Sequence, residues 1–339
     1  MIHLRIVAPA DLAGRVLDLL SAAPSVFDVV HLEGAARKPE GDVILCDVAR
    51  EDASQIIADL RELGVPQRGS IAVEQVESTI SDAAARAERA AAGLRSDAVV
   101  WEEVETRTSE DTELSVSFLA FMVIAMQIAA VGVVLDQPVL IVGAMVVGPE
   151  FGPLAALSVA IVQRRSALAR RSLAALAVGF PVGILAALGT TLALNAIGLF
   201  PSSFSAHDHP LTRFISEPDA LSAFVALVAA AAGMLSLTSA KSGALIGVLI
   251  SVTTIPAASE IGVSVAYGNW NEVAGAAGQL AVNLSAIMIS SVGTLFVQRR
   301  WFMSRRRRRL GEPIRSGAGV ALVGRAPLDM PGRGDDPDR

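Results

Sequence analysis

The chain has 339 residues, 52% of them hydrophobic and 18% charged, whereas soluble domains carry about 25% charged residues. The charge is divided: residues 1–113 hold 22 acidic residues against 11 Lys and Arg, and residues 114–339 hold 12 against 17. A single cysteine, Cys46, excludes an internal disulfide and any multi-cysteine metal site, and so acidic a first third argues against a nucleic-acid partner.

The first 80 residues alternate between two periodicities. Residues 2–8 read as a strand, and Asp11 is placed to cap a helix whose apolar face is Leu12, Val16, Leu19 and Leu20. Residues 26–32 and 42–48 read as strands with Gly41 in the turn between them. Ile56, Ile57, Leu60 and Leu63 mark a second helix, which Gly64 and Pro66 stop, and residues 70–76 are a last strand. The order βαββαβ predicts a ferredoxin-like α+β domain over residues 1–79. By analogy with regulatory modules of that fold, it is expected to assemble subunits into a homo-oligomer or to sense a ligand. No basic segment followed by an unbroken apolar core opens the chain, so this domain is expected in the cytosol. Residues 80–113, rich in Ala and Glu, read as a helical connector in which Trp101 marks a packing point or the membrane interface.

Six apolar stretches follow, at residues 115–135, 139–163, 172–200, 220–239, 243–267 and 273–297. Each has about the 17–25 residues that cross hydrocarbon, so the lipid bilayer is the expected partner of a transmembrane domain over residues 114–298. The third stretch is long and is expected to tilt or kink at Pro181. Arg164, Arg165, Arg170, Arg171, Lys241, Arg299, Arg300 and the 305–309 arginine run all fall on one side if the N-terminus is inside. The positive-inside rule then predicts cytosolic termini. Residues 299–339 form a basic flank, which meets anionic headgroups, and a disordered tail.

The spans divide into two sets of three, 115–200 and 220–297, and the middle member of each is interrupted. The second span carries Gly148, Pro149, Gly152 and Pro153; the fifth carries Pro256. Three spans per unit is an odd number, so tandem units enter the membrane in opposite senses, the inverted-repeat layout of many secondary transporters. Residues 143–153 and 253–260 are expected to be non-helical and to face each other around a small polar site. Glu150 and Glu260, the acids within the spans, and Asn283 are expected to line it. With acids and no base there, a proton or cation is the expected occupant. Gln127 and Gln279 read as bonds between helices, Gly179 and Gly183 as a close helix contact, and His207-Asp208-His209 as a solvated loop.

The run Gly143-Ala144-Met145, Pro149 and Gly152-Pro153 resembles the hallmark of a prokaryotic membrane family, the uncharacterised hydrophobic-domain family (domain of unknown function family 389). Arg213, the small residues 229–233, Pro256, Gly262, Asn269-Trp270 and Asn283 extend the resemblance over roughly residues 115–297. Glu150, Ile255 and Glu260 depart from its pattern, which has apolar residues at the acids' positions and a further proline near Pro256. The resemblance implies an architecture and no reaction. The bacterial inner membrane is the expected location. A transporter or channel for a small solute or ion leads, and a membrane-anchored sensor or scaffold is the alternative. No P-loop, zinc-protease motif or nucleophile elbow occurs, so neither enzymatic activity nor a cofactor is expected.

Overall fold

A computed structural model describes residues 1–76, 78–91, 99–101, 104, 108–109, 112–205, 209, 211, 215, 220–238 and 254–311, the last eleven by backbone alone. In the N-terminal part β1 (Ile2–Ala8), α1 (Ala10–Ala22), β2 (Val26–Arg37), β3 (Glu40–Val48), α2 (Arg50–Glu62), the short α3 (Val65–Arg68) and β4 (Ser70–Gln75) follow in that order. The sheet runs β2-β3-β1-β4 with every neighbouring pair antiparallel. Period-two alternation puts Ile2, Leu4, Ile6 and Ala8 on the face covered by α1 and α2 and leaves Arg5 exposed. Leu12, Val16 and Leu20 of α1 and Ile57 and Leu60 of α2 close that core around Ile44 and Cys46. Each such fully buried side chain is worth about 1.5–3 kcal/mol.

Two details differ from the sequence reading. Pro9, not Asp11, precedes the first turn of α1. Asp11 lies within that turn, where its charge suits the helix dipole, and it accepts two 2.8 Å bonds from the Arg68 guanidinium. The β2–β3 hairpin is longer than predicted, turning at Lys38 and Pro39, so Gly41 belongs to β3 rather than to the turn. Its lack of a side chain serves a close approach instead: a Cβ there would stand 2.4 Å from the Ala8 carbonyl oxygen.

The connector begins with α4 (Asp82–Ala90), capped by the Ser81 hydroxyl, and packs Ala84 and Ala87 on Met1 and Phe27. The membrane part comprises α5 (Val116–Val134), α6 (Pro138–Val147), α7 (Phe151–Gln163), α8 (Ser166–Ala196), α9 (Ala220–Thr238), α10 (Ile255–Tyr267) and α11 (Trp270–Gly311). Four of these, α5, α8, α9 and residues 270–300 of α11, are long and apolar enough to cross a membrane. The pair α6 and α7, bent by 54° at its break, makes a fifth if it is one span. Of the predicted fifth span, residues 243–253 lie outside the described residues. The described remainder, α10, has 13 residues, about 20 Å of helix, too short to cross hydrocarbon about 30 Å thick.

Helix α8 runs unbroken through Pro181 and starts directly after Arg164 and Arg165. Arg170 and Arg171 therefore sit on its first two turns and not in a loop. Gly179 and Gly183 make the predicted close contact: Cβ atoms there would meet Phe118 at 2.9 Å and Met126 at 2.7 Å. Gly262 does the same for α10, where a Cβ would lie 2.6 Å from the Ile184 carbonyl oxygen of α8. With that approach α10 is buried almost all round, from Ile255 through Glu260 and again from Gly262 to Ser264.

Candidate functional site

The first break is three residues long. Gly148 ends α6, its N–H donating to the Ala144 carbonyl (3.0 Å). Pro149 has no N–H to offer the Met145 carbonyl, so the helical ladder stops there. Glu150 then takes the N-cap position of α7, its own carbonyl accepting from the Leu154 N–H (3.2 Å). Gly152 and Pro153 fall in the first turn of α7, where a missing N–H costs no helical bond. Residues 143–153 are thus not a long non-helical segment; only residues 148–150 leave the helices. The same correction holds for the second break. Pro256 is at the start of α10, Thr254 is its N-cap, and residues 255–260 are helical.

The two breaks meet. The Glu150 side chain is fully buried, and its Oε1 accepts a hydrogen bond from the Thr254 hydroxyl at 2.8 Å. Glu150 does not cap its own helix. The carboxylate therefore stands where α7 and α10 both begin. Each helix start carries about half a positive charge, so two of them offset roughly one buried negative charge, which would be costly unassisted.

Glu260 does not approach Glu150 as the sequence suggested. It lies six residues further along α10, about 9 Å of rise from Thr254. It is 2% exposed, and its Oε1 accepts from the Ser264 hydroxyl (3.0 Å) one turn on. The same hydroxyl lies 3.4 Å from Oε2 of Glu272. A serine has one O–H to donate, so two carboxylates share a single donor. Glu272 in turn accepts from Ser205 and Asn269 (both 3.3 Å). Around it Pro201, Phe204, Ser205 and His209 are tied down. Tyr267 donates to the Pro201 carbonyl, Asn269 to that of Phe204, and the His209 ring reaches the Ser205 and Val134 carbonyls. His209 is therefore held by two protein carbonyls. His207 and Asp208 lie outside the described residues, among which no three potential metal ligands cluster.

Asn283 is buried on α11, its amide oxygen 3.4 Å from the Gln279 amide nitrogen one turn away. Gln127 donates to Thr190 across α5 and α8 (3.0 Å), a bond between helices as expected. Sequence reasoning missed Thr254, Ser264 and Glu272 as partners of the two acids. A threonine two residues before Pro256 is a helix-start signal that would have placed Thr254. Ser264 stands at i+4 from Glu260, whereas Glu272 sits beyond the span and only the α10–α11 turn brings it back.

Residues 145–289 match the family model described as "Domain of unknown function (DUF389)". An uncharacterized protein of Methanocaldococcus jannaschii is 27% identical over 208 residues, 60% of this chain and 62% of the relative, so the match spans less than two thirds of that protein's length. No solved structure matches. The matched region holds both breaks, Glu150, Glu260 and Asn283. The resemblance read from the Gly-Ala-Met…Pro…Gly-Pro run is therefore supported by independent comparison: residues 145–289 are similar to the DUF389 family.

Proposed function

We propose that this membrane protein moves a proton or small cation across the bilayer, using the meeting point of its two helix breaks as the central site. The observation that carries this reading is the fully buried Glu150 carboxylate, bonded to Thr254 where α7 and α10 both begin. Transporters hold their cations at unwound backbone carbonyls and helix C-terminal ends at membrane depth, and α6 ends at Gly148, two residues before Glu150. The segments 138–163 and 254–267 contain Glu150 and Glu260 and no Lys, Arg or His, which favours a positively charged occupant. Glu260 and Glu272, sharing the Ser264 hydroxyl, form a second station that a proton or cation between them would relieve. In this reading the domain has six spans in two inverted repeats and lies in the bacterial inner membrane with both termini cytosolic. The ferredoxin-like domain serves oligomer assembly or regulation, and the protein neither performs bond chemistry nor binds nucleic acid.

Reconstitution into proteoliposomes with an internal pH dye or cation indicator tests this. Flux driven by an imposed gradient should be abolished in Glu150→Gln combined with Glu260→Gln, with the folded protein intact by circular dichroism. Flux equal to wild type in that variant, or none in either, would sink the reading. The second reading, a membrane-anchored sensor or scaffold, is favoured by one observation: Ser54 of the soluble domain is hydrogen-bonded to the connector that leads into the membrane helices.

A further inference from the structure

Two connector residues, Val100 and Val104, anchor one in the soluble part and one in the membrane part. Val100 is fully buried and belongs to the core of the sheet domain. Four residues later Val104 is 2% exposed and packs in a separate cluster with Ala155, Val159 and Val162 of α7, Met234 of α9 and Leu295 of α11. Val99 and Trp101 lie against that second cluster too. The Val104 N–H donates to the Val100 carbonyl at 3.1 Å, so the two anchors are bonded to each other. Ser54 on α2 holds Val99 and Trp101 from the soluble side. Its Oγ accepts the Trp101 N–H (3.0 Å), and its hydroxyl donates to the Val99 carbonyl (3.4 Å).

The helix gripped by Val104 is the one that begins at Glu150. Helix α7 has 13 residues and no internal break after Pro153, so it moves as a rod about 20 Å long. Its far end is held as well, the Arg299 guanidinium of α11 donating to the Val162 carbonyl. Phe151, the first residue of α7 and the neighbour of Glu150, lies against the same cluster as Val104, so a shift imposed there reaches the break.

We propose that Val99, Val100, Trp101 and Val104 act as a coupling strap through which the state of the soluble domain biases the Gly148–Glu150 break. The proposal rests on that break being the working part of the membrane domain. Coupling of this kind is reciprocal: whatever alters the break must alter the strap by the same factor.

Hydrogen–deuterium exchange on the full-length protein in lipid nanodiscs tests this without requiring flux. Ser54→Ala removes both bonds to the strap. Amides of residues 99–104 and of residues 148–154 should then exchange about fivefold faster, the size expected for losing such bonds, while β1 and β3 stay protected. Ser54→Thr, which keeps the hydroxyl, should restore both. Glu150→Gln should in return change exchange at residues 99–104. If Ser54→Ala also loosens β1 and β3, Val104→Ala, which leaves the soluble core intact, decides in its place. Faster exchange at 99–104 with no change at 148–154, in whichever variant decides, overturns the strap. An exchange response in a protein that carries no ion would leave the strap standing and remove the transport reading; flux without an exchange response would do the reverse.

Discussion

The two parts of this molecule treat carboxylates in opposite ways. In the sheet domain, acids meet basic side chains: Asp11 meets Arg68, Asp42 meets His31 at 2.9 Å, and Asp47 meets His3 at 2.7 Å. The Gly34 N–H and then His31 hold the Asp42 carboxyl below its usual range, and Arg68 does the same for Asp11. In the membrane part, Glu150 and Glu260 are met by the hydroxyls of Thr254 and Ser264, and Glu150 by two helix starts. A surface ion pair can form and break at little cost because water replaces either partner. A buried carboxyl bonded to a hydroxyl has no water at hand to replace that partner. The contrast separates acids paired with basic side chains from acids buried against hydroxyls.

The largest expected effect lies in the soluble core. Leu4→Ala should destabilise the sheet domain by about 2–5 kcal/mol, the cost of a cavity in a packed interior. Cys46 reports it directly. The thiol is buried in that core, and burial pushes its pKa up to about 12, so it should resist thiol reagents in the native protein and react in the variant. Rapid labelling of the wild-type thiol would mean that the core is not closed as described.

A smaller effect is expected at the junction of the breaks. Thr254→Val keeps the side-chain shape and removes the hydroxyl that Glu150 accepts from. Hydrogen bonds to charged groups contribute about 1.5–3 kcal/mol, and thermal unfolding in detergent should fall accordingly. An unchanged midpoint would show that the contact does not steady Glu150, and the comparison between the two kinds of acid would lose its membrane half.

The smallest effect is at the exposed Asp11–Arg68 pair. Arg68→Ala should lower the unfolding midpoint slightly at neutral pH. Asp11 has a depressed pKa in the folded chain, so its contribution is present above the unfolded value of about 3.9 and is lost as pH falls through the folded one. The difference between variant and wild type should therefore close on acidification. A difference that persisted in strong acid would have a cause other than this ion pair.

The soluble domain was legible because its signals are local. Alternation in residues 2–8 and the spacing of Leu12, Val16 and Leu20 each depend on a few neighbouring residues and one buried face. The hairpin turn was misplaced because Gly41 looked like a turn residue. What requires glycine there is the Ala8 carbonyl, 33 positions earlier in the chain, and no local pattern contains that neighbour.

In the membrane part, residue type and order alone determined where the apolar stretches after residue 114 lie, that Pro149 and Pro256 interrupt two of them, and that Glu150 and Glu260 are the acids within them. Hydrophobicity and the missing proline N–H are properties of single residues, so they can be read without a fold. Only the tertiary structure decided which groups those acids meet. Glu150 and Thr254 are 104 positions apart, and their contact exists because Gly262 lets α10 lie close on α8. Glu260 turned to Ser264 rather than to Glu150 because α10 is a helix from Ile255 onward, and a helix directs a side chain to its i+4 neighbour. The proximity of two carboxylates is a property of packing, and proline positions in a sequence carry no information about it.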